Sequence, residues 1–154
     1  MSEVGVRLGA AGLNLPAAPA PVGLYVPAVR SGNLVFTSGQ LPLSEGVLAA
    51  TGRVGSGVSQ EQAFECAGVC ALNALAAAST VCDLDRVCRV VKLVGYVASA
   101  AGFTSQPAVI NGASEVLALA FGEEAGAHAR EAVGVAELPM GAPVEVSLIL
   151  EISG

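Results

Sequence analysis

The chain has 154 residues, of which 53% are hydrophobic and only 13% are charged. This length is typical of a single domain, and a chain of this size can bury enough surface to fold without disulfides or metals. The composition excludes a disordered chain, a disulfide-rich scaffold and a fibrous repeat. The mean hydropathy of +0.67 leaves few charges to cover a surface. We therefore expect some apolar surface to contact another copy of the chain.

The charge balance argues against a nucleic-acid partner. Seven Lys and Arg face thirteen Asp and Glu, which gives a formal net charge of -6. Nucleic-acid binders usually present a basic face to the phosphates. Here no basic cluster is denser than Arg86, Arg89 and Lys92, and these three lie in a predicted strand.

The cysteines and the histidine argue against a metal site. None of Cys66, Cys70, Cys82 and Cys88 forms the C-x-x-C spacing of zinc or redox sites. They are interpreted as small buried hydrophobic residues. The chain has one histidine, His128, so an ordinary metal site would lack ligands. The sequence therefore predicts no metal and no organic cofactor.

The uncharged stretch from Leu8 to Val29 is interpreted as neither a membrane span nor a signal peptide. Four prolines interrupt it, a density that a spanning helix would not tolerate lightly. A signal peptide would need a positively charged start, whereas Glu3 offsets Arg7. These features predict a cytoplasmic protein with no membrane partner.

Residues 1–20 are predicted to form an N-terminal arm, mobile or lying on the surface, and residues 21–154 a single domain. Strands are expected over 24–30 and 33–38, separated by a Ser-Gly turn, with a further short strand over 47–54. Ser59 then begins a helix, since Gln62 completes a capping box. Small apolar residues recur at helical spacing and predict that this helix ends near Ser79.

The second half of the chain predicts one more helix and three strands. A β-branched run over 86–98 indicates a central strand buried on much of both faces. A helix begins near Ser105 and ends at Gly122, a residue typical of helix C-caps. Strands over 130–138 and 144–152 complete the chain. The order predicts an α+β fold, a mixed β-sheet with two helices packed on one face and a partner subunit covering the other.

Arg130 and Glu145 are the main candidates for chemistry, because each is a charged residue within an apolar strand. Arginine is suited to two-point capture of a carboxylate. A carboxyl group in an apolar pocket can have a raised pKa and can move protons near neutral pH. The alternative, on residue type alone, is a structural ion pair or a solvent-facing strand edge.

The segment Gly-Asn-Leu-Val-Phe-Thr-Ser-Gly-Gln-Leu-Pro over 32–42 resembles the signature of the Rid family, also called the YjgF or L-PSP endoribonuclease family. The similarity continues, in order, through residues 22–25, 109–111, 129–130, 138–139 and 144–146. It covers the chain from about residue 21 to its end. The resemblance implies a fold like that of bacterial chorismate mutase, assembled as a homotrimer with ligand clefts between subunits.

The best-studied branch of the Rid family hydrolyses reactive enamines and imines made by pyridoxal-phosphate enzymes, giving a 2-keto acid and ammonia. The resemblance therefore implies a hydrolase similar to a 2-iminobutanoate/2-iminopropanoate deaminase. Arg130 would hold the substrate carboxylate, and Glu145 would position or activate the attacking water. Further substrate-binding residues implied by the resemblance are Tyr25, Ser38, Gly39 and Asn111.

His128 departs from the pattern of that branch, which usually has a proline at this position. The segment 128–135 is more similar to a divergent branch of uncharacterised function, and the arm over 1–20 is a second departure. Residues two apart in a strand share a face, so His128 would join Arg130 among the substrate-binding residues. The alternative is a loop residue outside the site.

Two functions are compatible with these residues. The first is the imine deaminase, and the second is a non-catalytic trimer that binds or senses small carboxylates. The ribonuclease activity in the family's name is disfavoured by the acidic charge and the single lysine.

Overall fold

The computed structural model describes residues 1–21 and 23–154. Within them lie three α-helices, α1 (Glu3–Ala10), α2 (Gln60–Ala78) and α3 (Gln106–Gly126). The strands are β1 (Ala28–Ser31), β2 (Leu34–Thr37), β3 (Leu43–Ser44), β4 (Val47–Leu48), β5 (Val87–Ala98), β6 (Ala129–Val135) and β7 (Val144–Ile152). The α+β prediction is confirmed, although the sequence predicted only two of these helices. No helix in the described ranges has the length and apolar character needed to cross a membrane.

Five strands form a mixed sheet in the order β1-β2-β7-β5-β6. Strand β6 runs parallel to β5, and the other neighbours are antiparallel. Strands β3 and β4 form a separate hairpin. Strand β7 is the middle strand, and β5 lies between β7 and β6, so the prediction that 86–98 forms a central strand is confirmed. The prediction that this strand is buried on much of both faces was wrong. Along β5 buried residues alternate with half-buried ones, so only one of its faces is fully covered within the chain.

Helices α2 and α3 cover one face of the sheet, here called the helix-covered face. The capping box predicted at Ser59 and Gln62 is present, with both hydrogen bonds formed. Helix α2 is rich in alanine and lies very close to α3: a Cβ on Gly112 of α3 would overlap the backbone carbonyl of Phe64. The regular part of α3 ends at Gly122, whose φ of 83° is left-handed, and one further turn runs to Gly126.

The opposite face of the sheet, here called the open face, is left uncovered by residues 1–21 and 23–154. The register aligns Phe36 with Ile149 across β2 and β7, and Val29 with Phe36 across β1 and β2. These side chains lie opposite to the buried Leu150, because successive residues of a strand alternate between faces. Phe36 is 39% exposed and Val29 is 52% exposed. The open face therefore presents apolar surface to solvent.

Helix α1 lies within the predicted arm and was not predicted. The Ser2 hydroxyl accepts the backbone N–H of Gly5 at 2.9 Å. The Asp85 carboxylate accepts the N–H groups of Glu3 and Val4 at 2.8 and 3.0 Å. The apolar residues Val4 and Leu8 are buried, and α1 packs against α3. Residues 3–10 of the predicted arm are thus docked on the domain.

Candidate functional site

Arg130 lies at the start of β6 with its guanidinium anchored on α3. The Arg130 Nη1 atom donates to Asn111 Oδ1 at 2.7 Å and to Ser114 Oγ at 3.2 Å. A guanidinium carries five N–H donors, and these two bonds occupy both donors of Nη1. The Nε and Nη2 atoms make no hydrogen bond to any described residue. Arg130 therefore keeps one edge of its fork free while the other edge is fixed.

The alternative interpretation of Arg130 as part of a structural ion pair is wrong for the described residues. The ion pair on β6 is made instead by Glu131, whose Oε1 lies 2.7 Å from Lys92 Nζ. Glu131 is exposed and lies opposite Val94, on the open face. The cation at Arg130 has no neutralising carboxylate among the described residues, which favours binding of an anion there.

His128 joins the same cluster through Ser114. The His128 Nε2 atom lies 2.9 Å from Ser114 Oγ, and Nδ1 lies 2.6 Å from the backbone carbonyl oxygen of Gly126. Ser114 was missed in the sequence analysis. Its position three residues after Asn111 on a helix was the signal available, because residues three apart share a helix face.

Glu145 lies on β7 with no hydrogen-bond or ion-pair partner among the described residues. It aligns with Tyr96 of β5 and faces the open side of the sheet. The residue is half-buried, and this burial raises the pKa of the Glu145 carboxyl above its ordinary value. A carboxylate that lacks donors has little to stabilise its charge, so it keeps its proton more readily.

Gly39 lies directly against the Glu145 carboxylate. A Cβ added to Gly39 would be 2.5 Å from Glu145 Oε2 and 2.8 Å from its Cδ. Glycine is therefore required at this position for the carboxyl group to lie against the backbone. The neighbouring Ser38 donates its hydroxyl to the carbonyl of Val26 at 2.6 Å, which holds the 25–26 segment near Gly39. Tyr25 is 53% exposed.

The predicted site residues thus form two separate groups within one chain. Arg130 aligns with the buried Leu93 of β5, so its side chain lies on the helix-covered face with Asn111 and His128. Glu145 aligns with Tyr96, three positions along the same strand and hence on the opposite face. A single chain does not bring Arg130 and Glu145 together. A ligand that touched both would have to lie between two chains.

The described residues contain no group of three or more His, Cys, Asp or Glu that could hold a metal ion. Of the four cysteines interpreted as buried, Cys66 and Cys70 are buried within α2, whereas Cys82 is only partly buried and Cys88 is exposed. Burial raises the pKa of the Cys66 and Cys70 thiols, which keeps them protonated and unreactive.

Comparisons with known proteins agree with the fold. The sequence model of the family described as Endoribonuclease L-PSP matches residues 15–152. Protein TCP17 of Trypanosoma cruzi is 44% identical over 98% of this chain and 95% of its own length. The structure of Atu1372 from Agrobacterium tumefaciens, a protein of unknown function, is 46% identical over 97% of this chain and 92% of that chain, with a TM-score of 0.89.

A third similar structure is that of Escherichia coli TdcF with bound serine, which is 29% identical over 88% of this chain and 94% of that chain, with a TM-score of 0.60. These similarities span the sheet, both long helices and the segments that hold Arg130 and Glu145. The chain therefore belongs to the Endoribonuclease L-PSP family, also called the YjgF family.

Proposed function

We propose that this protein hydrolyses small reactive imines or enamines that carry a carboxylate, releasing a 2-keto acid and ammonia. The observation that carries the proposal is the half-anchored guanidinium of Arg130. Its Nη1 donors are occupied by Asn111 and Ser114, which leaves the Nε–Nη2 edge for a carboxylate. The serine bound to TdcF, a relative, also carries a carboxylate and an amine nitrogen.

Glu145 supplies the proton transfers in this proposal. Water adds to the imine carbon as a proton passes to Glu145 and then to the substrate nitrogen. The resulting carbinolamine breaks its C–N bond, ammonia leaves, and the hydroxyl loses its proton to form the ketone. A carboxyl whose pKa is raised by burial is suited to accept and return a proton near neutral pH.

The site is proposed to lie between subunits of a homotrimer. Arg130 and Glu145 lie on opposite faces of one sheet, so Arg130 of one copy would meet Glu145 of the next. The exposed apolar residues of the open face, such as Phe36, support such an assembly.

The alternative is a trimer that binds small carboxylates without turnover. It would use the same Arg130 edge and differs only in whether Glu145 meets a water beside the ligand. The raised pKa of the half-buried Glu145 carboxyl favours the enzyme, because groups that transfer protons in active sites commonly have pKa values shifted by burial.

The test is release of a 2-keto acid from freshly generated imino acids, coupled to a dehydrogenase. We expect Arg130→Ala to lower kcat/KM by about a hundredfold or more, since charged hydrogen bonds are lost. Glu145→Gln should lose turnover yet still bind 2-keto acids in calorimetry. Arg7→Ala, at an arginine of which 45% is exposed, is the control and should behave as wild type. Wild-type binding of 2-keto acids without turnover would favour the binding protein.

Mixing the two inactive variants tests whether the site is shared. In randomly mixed trimers of Arg130→Ala and Glu145→Gln chains, about a quarter of the interfaces would combine an intact arginine with an intact glutamate. Activity should therefore return to about that fraction after the variants are unfolded and refolded together. No recovery, with mixed trimers present, would contradict a site between chains.

A further inference from the structure

Four groups form a continuous chain of hydrogen bonds behind the free edge of Arg130. Arg130 Nη1 donates to Ser114 Oγ at 3.2 Å, and Ser114 Oγ lies 2.9 Å from His128 Nε2. His128 Nδ1 lies 2.6 Å from the Gly126 carbonyl oxygen, which ends α3. Ser114, His128 and Arg130 are all only partly exposed, so these bonds are sheltered from bulk water.

The two ends of this series of hydrogen bonds, Arg130 and the Gly126 carbonyl, fix the position of every hydrogen between them. A guanidinium can only donate, and a backbone carbonyl can only accept. His128 must therefore carry a hydrogen on Nδ1, which makes Nε2 of the neutral ring an acceptor. The Ser114 hydroxyl then donates to Nε2 and turns a lone pair towards Arg130. With the ring neutral, one arrangement of hydrogens satisfies all four groups.

We propose that Ser114 and His128 are positioning residues that hold Arg130 in the orientation needed for a carboxylate. The Arg130 side chain has several rotatable bonds, and its freedom would have to be lost on ligand binding. Asn111 alone offers a weak anchor because it is exposed and its amide can turn. Ser114 cannot turn while its hydroxyl is bound to His128, so the pair fixes the guanidinium before the ligand arrives. The effect on ligand binding rests on the function proposed above.

The arrangement of hydrogens can be tested without any ligand. His128 is the only histidine of the chain, so 15N labelling of histidine reports one imidazole. In the wild type we expect the neutral form of the ring to carry its hydrogen on Nδ1 and to accept a hydrogen bond at Nε2. Ser114→Ala should shift the Nε2 resonance, whereas Ser105→Ala, at the start of the same helix where the side chain makes no capping bond, should leave it unchanged. A ring with its hydrogen on Nε2 would overturn the proposal.

Binding of 2-oxobutanoate, measured by calorimetry, tests the positioning role. Ser114→Ala and His128→Ala should each weaken binding by about tenfold, and the double variant by no more than either one. Ser114→Thr keeps the hydroxyl, and His128→Gln keeps an acceptor near Nε2, so both should retain most of the affinity. In the turnover assay Ser114→Ala should raise KM and leave kcat nearly unchanged.

Several outcomes would contradict the positioning role of Ser114 and His128. Single variants that fold and bind 2-oxobutanoate as wild type, or effects that add in the double variant, would show that Ser114 and His128 do not act through Arg130. Failure of the proposed function would give a different result. Arg130→Ala would then bind 2-oxobutanoate as well as wild type does, while the wild type would still show the expected 15N signature of His128. Thermal denaturation of each variant separates a loss of binding from a loss of folding.

Discussion

The two faces of the sheet differ in how their charged residues are held: Arg130 has hydrogen-bond partners, and Glu145 has none among the described residues. On the helix-covered face Arg130 is held by two acceptors from α3. On the open face Glu145 has no hydrogen-bond partner among the described residues and lies against the backbone at Gly39. The cation is oriented in advance, and the carboxyl is left poorly solvated so that it holds its proton more tightly. The helix-covered face contributes the arginine that binds the carboxylate, and the open face contributes the carboxyl group that transfers protons. One chain does not bring these two groups together.

The two faces also differ in how tightly they are packed. Under the helices, glycine is required where α3 approaches its neighbours: a side chain at Gly112 would overlap Phe64, and one at Gly95 would overlap Ile110. The open face instead carries apolar side chains that remain partly exposed. Substitutions at tightly packed glycines of the helix-covered face should therefore lower stability, whereas substitutions on the open face should affect assembly or turnover.

Gly112→Ala should cause a large loss of stability. Its Cβ would overlap a backbone carbonyl, which cannot move without separating α2 from α3. We expect a loss of about 3 kcal/mol or more in the free energy of unfolding, measured by urea denaturation. The control is Gly57→Ala, where an added Cβ meets nothing within 4 Å. Equal stability of the two variants would contradict the close helix contact.

Gly39→Ala should damage turnover rather than folding. The added Cβ meets the far end of the Glu145 side chain, which is flexible and can move away. Misplacing the carboxyl group by about 1 Å should lower kcat by about a hundredfold in the coupled assay. The melting temperature should stay close to that of wild type. Full activity in this variant would show that the position of Glu145 against Gly39 has no role in the reaction.

Phe36→Asp should weaken assembly. It places a charge on the open face, where Phe36 is 39% exposed in the chain. Leu119→Asp is the matched control, because Leu119 is 44% exposed but lies on α3. In sedimentation experiments, Phe36→Asp should raise the subunit dissociation constant by at least about tenfold, which is the effect expected from losing a well-buried contact. Leu119→Asp should leave this constant unchanged. The reverse result would place the interface on the helices.

Glu145→Gln should have a small, pH-dependent effect on stability. Because the pKa of this carboxyl is raised on folding, its ionisation destabilises the folded state as the pH rises from the ordinary value of about 4.3 through the raised one. At lower pH both states are protonated and this contribution vanishes. The variant should therefore gain stability relative to wild type as the pH rises, by less than about 1 kcal/mol because solvent still screens the half-exposed group. A difference that is constant with pH would contradict this account.

The sequence was sufficient to predict the bounds of a helix or strand where those bounds depend on the residues of the element itself. The bounds of β7 match the predicted 144–152, and α2 begins at the predicted capping box, because alternation and capping are local signals. Strand β1 is shorter than predicted, running over Ala28–Ser31 instead of 24–30, because only these residues pair with β2. Helix α1 has a local N-cap, Ser2, but it was missed because its other acceptor, Asp85, and the surface of α3 that buries Val4 and Leu8 lie far along the chain.

The residue types of the candidate site could be predicted, but not their arrangement. A charge inside an apolar strand was enough to single out Arg130 and Glu145. The face on which Arg130 lies depends on the parallel pairing of β6 with β5, which no pattern within β6 determines, since its burial alternates only weakly. Ser114 was missed because a serine in a helix is unremarkable until the position of His128 is known.

The cap on α1 also has a consequence for the order in which the chain folds. An isolated helix of eight residues is too short to be stable in water. The acceptor for its first N–H groups is Asp85, in the Leu84–Arg86 turn, and its buried face rests on α3. Helix α1 can therefore become stable only after two later segments, Leu84–Arg86 and Gln106–Gly126, have been synthesised and folded. Until then the apolar side chains of Val4 and Leu8 have no surface against which they can be buried.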